Sequence, residues 1–148
     1  MRGTDGGVLD GQVAIASVER TVAEWGRLDL LANNAQTKVF QSIRRMTDAE
    51  METMSQSGPM ASFRFMQVCF AYLREAKGCV INMGSGSGIM PHGAMSGYAM
   101  TKEAARTLAR VAAVEWGRFG IRVNSICALA ESPGAGEFAT PPVGQSTR

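Results

Sequence analysis

The chain has 148 residues, 45% apolar and 19% charged, a balance that excludes a disordered polymer and allows one domain with a real core. Its net charge is +2 and its pI near 8.6, too weak a bias to point to nucleic acid or a membrane surface. Arg106, Arg110, Arg118 and Arg122 cluster in one stretch, which reads as a solvated helix face plus a strand edge rather than a phosphate-tracking patch.

No apolar run approaches the roughly 18 residues of a membrane span. The opening MRGTDGGVLD lacks the apolar core of a signal peptide, so a cytoplasmic location is expected. The three cysteines, Cys69, Cys79 and Cys127, have no metal-ligand spacing, and His92 is the single histidine. No metal site is therefore expected, and the thiols read as reduced, small buried apolar groups.

Val8, Leu9 and Asp10 read as the end of a short strand. Ile15, Val18, Val22 and Trp25 recur at helical spacing, predicting an amphipathic helix over about 12–26 that Gly26 ends. Residues 28–32, LDLLA, form a short apolar strand broken by Asn33 and Asn34. Thr47 with Glu50 three residues on marks a capping-box start. Met51, Met54, Ala61, Phe65, Val68 and Tyr72 then fit one face of a long helix over about 48–76. Gly58-Pro59 interrupts it, and proline inside a helix costs about 3 kcal/mol, so a kink or break is expected there. Lys77-Gly78 is a turn, and 79–83, CVINM, is a buried strand. Residues 84–97 form a small-residue loop. Residues 98–117 form a helix with Leu108, Val111 and Ala112 on one face, and 121–127 form a last strand. A loose Gly/Pro/Ser-rich tail is expected over about 133–148.

Strands separated by helical crossovers imply a mostly parallel sheet covered by helices. Ligands of such sheets sit beyond the carboxyl ends of the strands. Asn33-Asn34, Gly84-Ser85 and Cys127 lie at such ends.

Tyr98 and Lys102 are four apart at the start of a helix, so they stack on one face about 6 Å apart along the axis. A free tyrosine is a poor base at neutral pH. A nearby ammonium favours phenolate, which suits the pair to general acid–base work on an alcohol or carbonyl. Ser85 lies thirteen residues before Tyr98, just past a strand. GSGSG at 84–88 lacks the G-x-G-x-x-G spacing of a phosphate loop, and neither of its serines sits in the G-x-S-x-G of a hydrolase elbow.

Ser85, Tyr98 and Lys102 at this spacing, with LDLLANNA and the helix-to-strand run TLARVAAVEWGRFGIRVNSI, resemble the short-chain dehydrogenase/reductase family. The resemblance runs over about 8–132. It implies a partial Rossmann-type, doubly wound α/β parallel sheet. It also implies an NAD(P)-dependent oxidoreductase interconverting a small-molecule alcohol and a ketone, with NAD or NADP as cofactor. Tyr98 would be the general acid/base, Lys102 would ease its deprotonation and hold the nicotinamide ribose, and Ser85 would hydrogen-bond the carbonyl or alkoxide. Asn34 and Ala35 match the turn beside the cofactor, Asp10 matches the acidic residue that touches adenine, and Tyr98 with Lys102 would complete the cofactor contacts. Homo-oligomers would form through the helices at about 48–76 and 98–117, with no nucleic acid or membrane as partner.

Several positions depart from the family pattern. Gln36 stands where a glycine lets the backbone approach the cofactor, so its side chain is expected to crowd that site. Gly58 stands where an asparagine holds a relay water, and Ala128-Leu129 replaces a Pro-Gly. The first strand, its TGxxxGxG turn and the following helix have no counterpart, nor does the last strand. The resemblance thus implies a single incomplete domain over 1–148, truncated at its N-terminus. Residues 28–32 would be left as a bare apolar edge. The alternative reading is a catalytically inactive remnant or a partner-binding fragment of such an enzyme.

Overall fold

A computed structural model describes residue 7, residues 11–90 and residues 92–128. The strand and cofactor contact expected at Val8, Leu9 and Asp10, the residue Leu129 and the tail lie outside the described residues. In chain order the elements are α1 (Gly11–Trp25), β1 (Leu30–Asn33), α2 (Asp48–Ser55), a π-helical turn (Gln56–Met60), α3 (Ala61–Ala76), β2 (Cys79–Met83), α4 (Ser96–Trp116) and β3 (Arg122–Ile126). Short 3-10 turns at Gly86–Gly88 and Gly117–Phe119 flank α4.

The three strands form a parallel sheet in the order β1-β2-β3. Its register pairs Asn33 with Asn82 and Asn82 with Ser125. Right-handed crossovers between successive parallel strands put their connecting helices on one face. The core agrees: Val80 and Val123 from the sheet meet Met66, Cys69 and Leu73 of α3 and Ala109 and Ala112 of α4. Val18 of α1 joins the same cluster. Among the described residues the opposite face, which carries Leu30, Ala32, Arg122, Asn124 and Ile126, is exposed. Among the described residues β1 is the edge of this sheet, with Leu30 51% exposed and Leu28 buried.

Local chemistry explains the element ends. Thr47 caps α2 with the expected box: its Oγ1 accepts from the Glu50 N–H at 3.3 Å, and the Glu50 carboxylate accepts from the Thr47 N–H at 2.8 Å. Gly26 (φ +73°) donates its N–H to Val22 O at 2.7 Å and ends α1. The far end of α4 is pinned by an aromatic cluster, with the Phe70 ring 5.1 Å from Trp116 and 5.4 Å from Phe119.

The long helix differs from expectation in an instructive way. Pro59 neither breaks the helix nor ends it. The chain widens into the π-helical turn, where the Ala61 N–H donates to Gln56 O, five residues back. One inserted residue moves every later position by one step around the helix. A plain α-helix continued from Met54 would bury Ala61, Phe65, Val68 and Tyr72. The buried set is Ala61 with Ser62, Met66, Cys69 and Leu73, each of the last four one residue later than that pattern. In α4 the expected face holds for Ala112, which is buried, and Leu108, which packs against the core, but not for Val111. Val111 is 49% exposed, and the small residues Ala105, Ala109 and Ala112 face the sheet, which lets the helix lie close to it.

Candidate active site

The carboxyl ends of β1 and β2 and the first turns of α4 build the candidate site. Tyr98 and Lys102 fall in those first turns, because α4 begins at Ser96, two residues earlier than the sequence predicts. Gly97 lets the helix start against α2: a Cβ there would run into the Met54 side chain. The preceding loop is fixed by the Gln41 N–H, which donates to Ala94 O at 2.8 Å, and Ala94 holds a left-handed φ of 61°.

Lys102 is buried, and its Nζ donates to Met83 O, the last carbonyl of β2, at 2.8 Å. The same ammonium lies 5.6 Å from the centre of the Tyr98 ring. Burial lowers the Lys102 pKa from the ordinary amine value, partly opposed by the nearby Cys127 sulfur. Tyr98 is half-buried, with the Phe40 ring edge-on at 6.5 Å between centroids.

Ser85 sits two residues beyond the carbonyl that holds Lys102. Its Oγ accepts from the Ser87 N–H at 3.2 Å and shares a hydrogen bond with Ser87 Oγ at 2.8 Å. Ser87 is itself buried, so the Ser85 hydroxyl is fixed by a rigid neighbour. The short 3-10 turn in GSGSG that supplies this neighbour was not legible in the small-residue run.

Three more residues hold the site together without an obvious sequence signal. Asn82, 1% exposed, accepts from Asn33 Nδ2 at 2.8 Å and donates to Ala105 O of α4 at 3.3 Å. It thereby joins β1, β2 and the helix of Tyr98. Its one legible trace is a polar residue inside a buried strand, which demands partners. Thr101 is buried, and its Oγ1 donates to Tyr98 O at 2.9 Å. Gln36 donates from Nε2 to Thr101 Oγ1 at 2.6 Å. Its side chain lies over Gly58.

Asn34 and Ala35 follow β1 and are exposed at this end of the sheet. The residues present fit the nicotinamide end of a dinucleotide. A lysine ammonium has three donors, and one of them is spent on Met83 O, which leaves two for the hydroxyls of a ribose. His92 is exposed in the loop before α4.

A family model described as short chain dehydrogenase matches residues 4–134. The 12alpha-hydroxysteroid dehydrogenase of a Clostridium species is 41% identical over 115 residues, covering 77% of this chain and 44% of that protein. The levodione reductase of Leifsonia aquatica is 35% identical over 130 residues, covering 86% of this chain and 47% of that protein. A crystal structure of levodione reductase superposes with a TM-score of 0.77 at 34% identity, covering 81% of this chain and 47% of that one. ElxO with NADP bound superposes with a TM-score of 0.79 at 23% identity, over 84% of this chain and 51% of that one, a likeness of fold. The chain spans about half the length of the relatives it matches. With the match running through nearly all of its described residues, the chain belongs to the short-chain dehydrogenase family.

Proposed function

We propose that this chain carries the acid–base half of an NAD(P)-dependent oxidoreductase that interconverts an alcohol and a ketone. The observation that carries the reading is the buried Lys102 ammonium beside the Tyr98 ring, anchored on the strand end that leads into Ser85. A nicotinamide dinucleotide, when bound, supplies the redox half of the reaction. Asn34, Ala35, Tyr98 and Lys102 are the described residues that would hold it, and Asp10 is proposed from sequence alone.

The protein's own residues handle the proton. Tyr98 gives its phenolic proton to the oxygen of a ketone as that oxygen gains charge, and takes it back from an alcohol in reverse. Lys102 holds positive charge next to the phenol through either direction. The Ser85 hydroxyl, oriented by Ser87, donates to the substrate oxygen where negative charge develops.

Relatives that act on a hydroxysteroid and on levodione support an alcohol/ketone substrate class. Apolar side chains exposed on α3 and α4, Phe63, Val111 and Val114, support association of copies through these helices. The test is turnover of a panel of cyclic secondary alcohols and ketones, followed by reduced-nicotinamide absorbance. It uses the chain extended at its N-terminus with a relative's first strand, glycine turn and helix. Oxidation or reduction of a panel member is expected, and no turnover with either dinucleotide contradicts the reading.

A second reading, a partner-binding fragment without activity, draws on the sheet face that no described helix covers. Saturable binding of NAD(H) or NADP(H) by residues 1–148 alone contradicts it.

A further inference from the structure

Two of the positions that depart from the family pattern, Gln36 and Gly58, touch each other. A Cβ built on Gly58 would meet Gln36 Cδ at 2.7 Å and Oε1 at 2.8 Å. Gly58 is buried in the π-helical turn, and the Gln36 carboxamide occupies the space that any side chain at 58 would need. From that space Gln36 Nε2 reaches Thr101 Oγ1 at 2.6 Å, and the Thr101 hydroxyl in turn donates to Tyr98 O at 2.9 Å. A second tie fixes the same turn: the Thr37 N–H donates to Ser57 Oγ at 3.1 Å, and the Ser57 hydroxyl donates to Thr53 O at 2.8 Å. The loop after β1, the π-helical turn and the first turns of α4 are thus tied together around one half-buried carboxamide.

We infer that Gln36 is a positioning residue for Tyr98, and that Gly58 is bare because the Gln36 carboxamide must fit there to hold Thr101. The hydrogen bond from Gln36 leaves the Thr101 hydroxyl with Tyr98 O as its acceptor, so the carboxamide orients the turn that carries the phenol. The inserted residue of the π-helical turn brings Gly58 under this loop. Proline at 59 and glycine at 58 therefore serve the site by opening space, not by presenting a group.

The role rests on the acid–base reading of Tyr98, and its test does not depend on turnover. The chain has two tyrosines, so Tyr72→Phe leaves Tyr98 as the single reporter in ring-labelled NMR spectra. In that background Gln36→Ala, Gly58→Ala and Thr101→Val are each expected to displace the Tyr98 ring signals. Thr101→Ser, which keeps the hydroxyl, is expected to return them. Adding Gly58→Ala to Gln36→Ala is expected to move them no further.

Chemical unfolding of the full chain gives an independent arm. With Gln36 in place, Gly58→Ala raises the unfolding constant, because the carboxamide is pushed off Thr101. With Gln36→Ala the same change lowers it roughly fivefold, the helix-propensity gain of alanine over glycine. Additive effects at the two positions, or ring signals that ignore all three substitutions, would overturn the inference. Survival of turnover in Tyr98→Phe would instead sink the acid–base reading and leave the Gln36–Gly58 coupling standing.

Discussion

The Lys102 ammonium lies 5.6 Å from the centre of the Tyr98 ring while its Nζ is fixed on Met83 O at 2.8 Å. The lysine is thus held by the strand end rather than by solvent, and α4 delivers both residues from adjacent turns. The cost is desolvation: burial lowers the Lys102 pKa from the ordinary value of about 10.5.

That cost has a pH signature. Below the lowered folded value both the folded and unfolded states hold the proton, and the penalty is complete. Between that value and about 10.5 the unfolded chain holds more protons than the folded one. Stability relative to a Lys102→Met variant is therefore expected to rise with pH through this window. Urea unfolding of both proteins across mildly to strongly alkaline pH checks this, and a difference that falls as pH rises contradicts it.

The α2 cap offers a simpler case. Thr47→Ala is expected to cost about 1 kcal/mol near neutral pH. Hydrogen bonds from the Thr47 backbone and side chain lower the Glu50 pKa below its ordinary 4.5. The Glu50 contribution is therefore complete above that value and lost as pH falls through the lowered one. Unfolding curves at neutral and acid pH should show the gap between wild type and Thr47→Ala narrowing in acid.

Thiol labelling separates the cysteines. The Cys69 side chain is fully buried, and burial pushes its pKa up to about 12. Cys79 and Cys127 are only half-buried. At mildly alkaline pH a disulfide reagent is expected to modify Cys79 and Cys127 in the folded chain and Cys69 only after unfolding. Mass mapping that finds Cys69 labelled first would contradict this packing.

Asn82 ties the strands to the helix of Tyr98, so Asn82→Ala strands Asn33 and the Ala105 carbonyl. A loss of about 1–3 kcal/mol is expected for buried partners left unpaired. Denaturant titration measures it, and Asn33→Ala combined with Asn82→Ala should cost less than the sum of the two.

Much of this architecture was legible in the sequence because it is local. The Thr47–Glu50 box, the apolar strand at 79–83 and the Tyr98–Lys102 spacing each depend on neighbours within a few residues. The packed face of α3 was not legible. Helical periodicity assumes a constant phase, and the π-helical turn shifts that phase by one residue at Pro59. The contact of Gln36 with Gly58 was not legible either. It joins a loop to a helical turn across 22 positions, and each residue alone reads as a defect. Asn82 was hidden for the same reason, since Asn33 and Ala105 reach it only in the folded chain. Ser87 bonds Ser85 two residues away, but the short turn that brings them together leaves no periodic signal in a run of small residues.

Movement of the substrate proton by Tyr98 is tested by comparing hydride transfer in the N-terminally extended enzyme and its Tyr98→Phe variant, on the same substrate and at saturating dinucleotide. A loss of about 100- to 10,000-fold in kcat is expected, with dinucleotide affinity little changed. Equal turnover in the two proteins would contradict it.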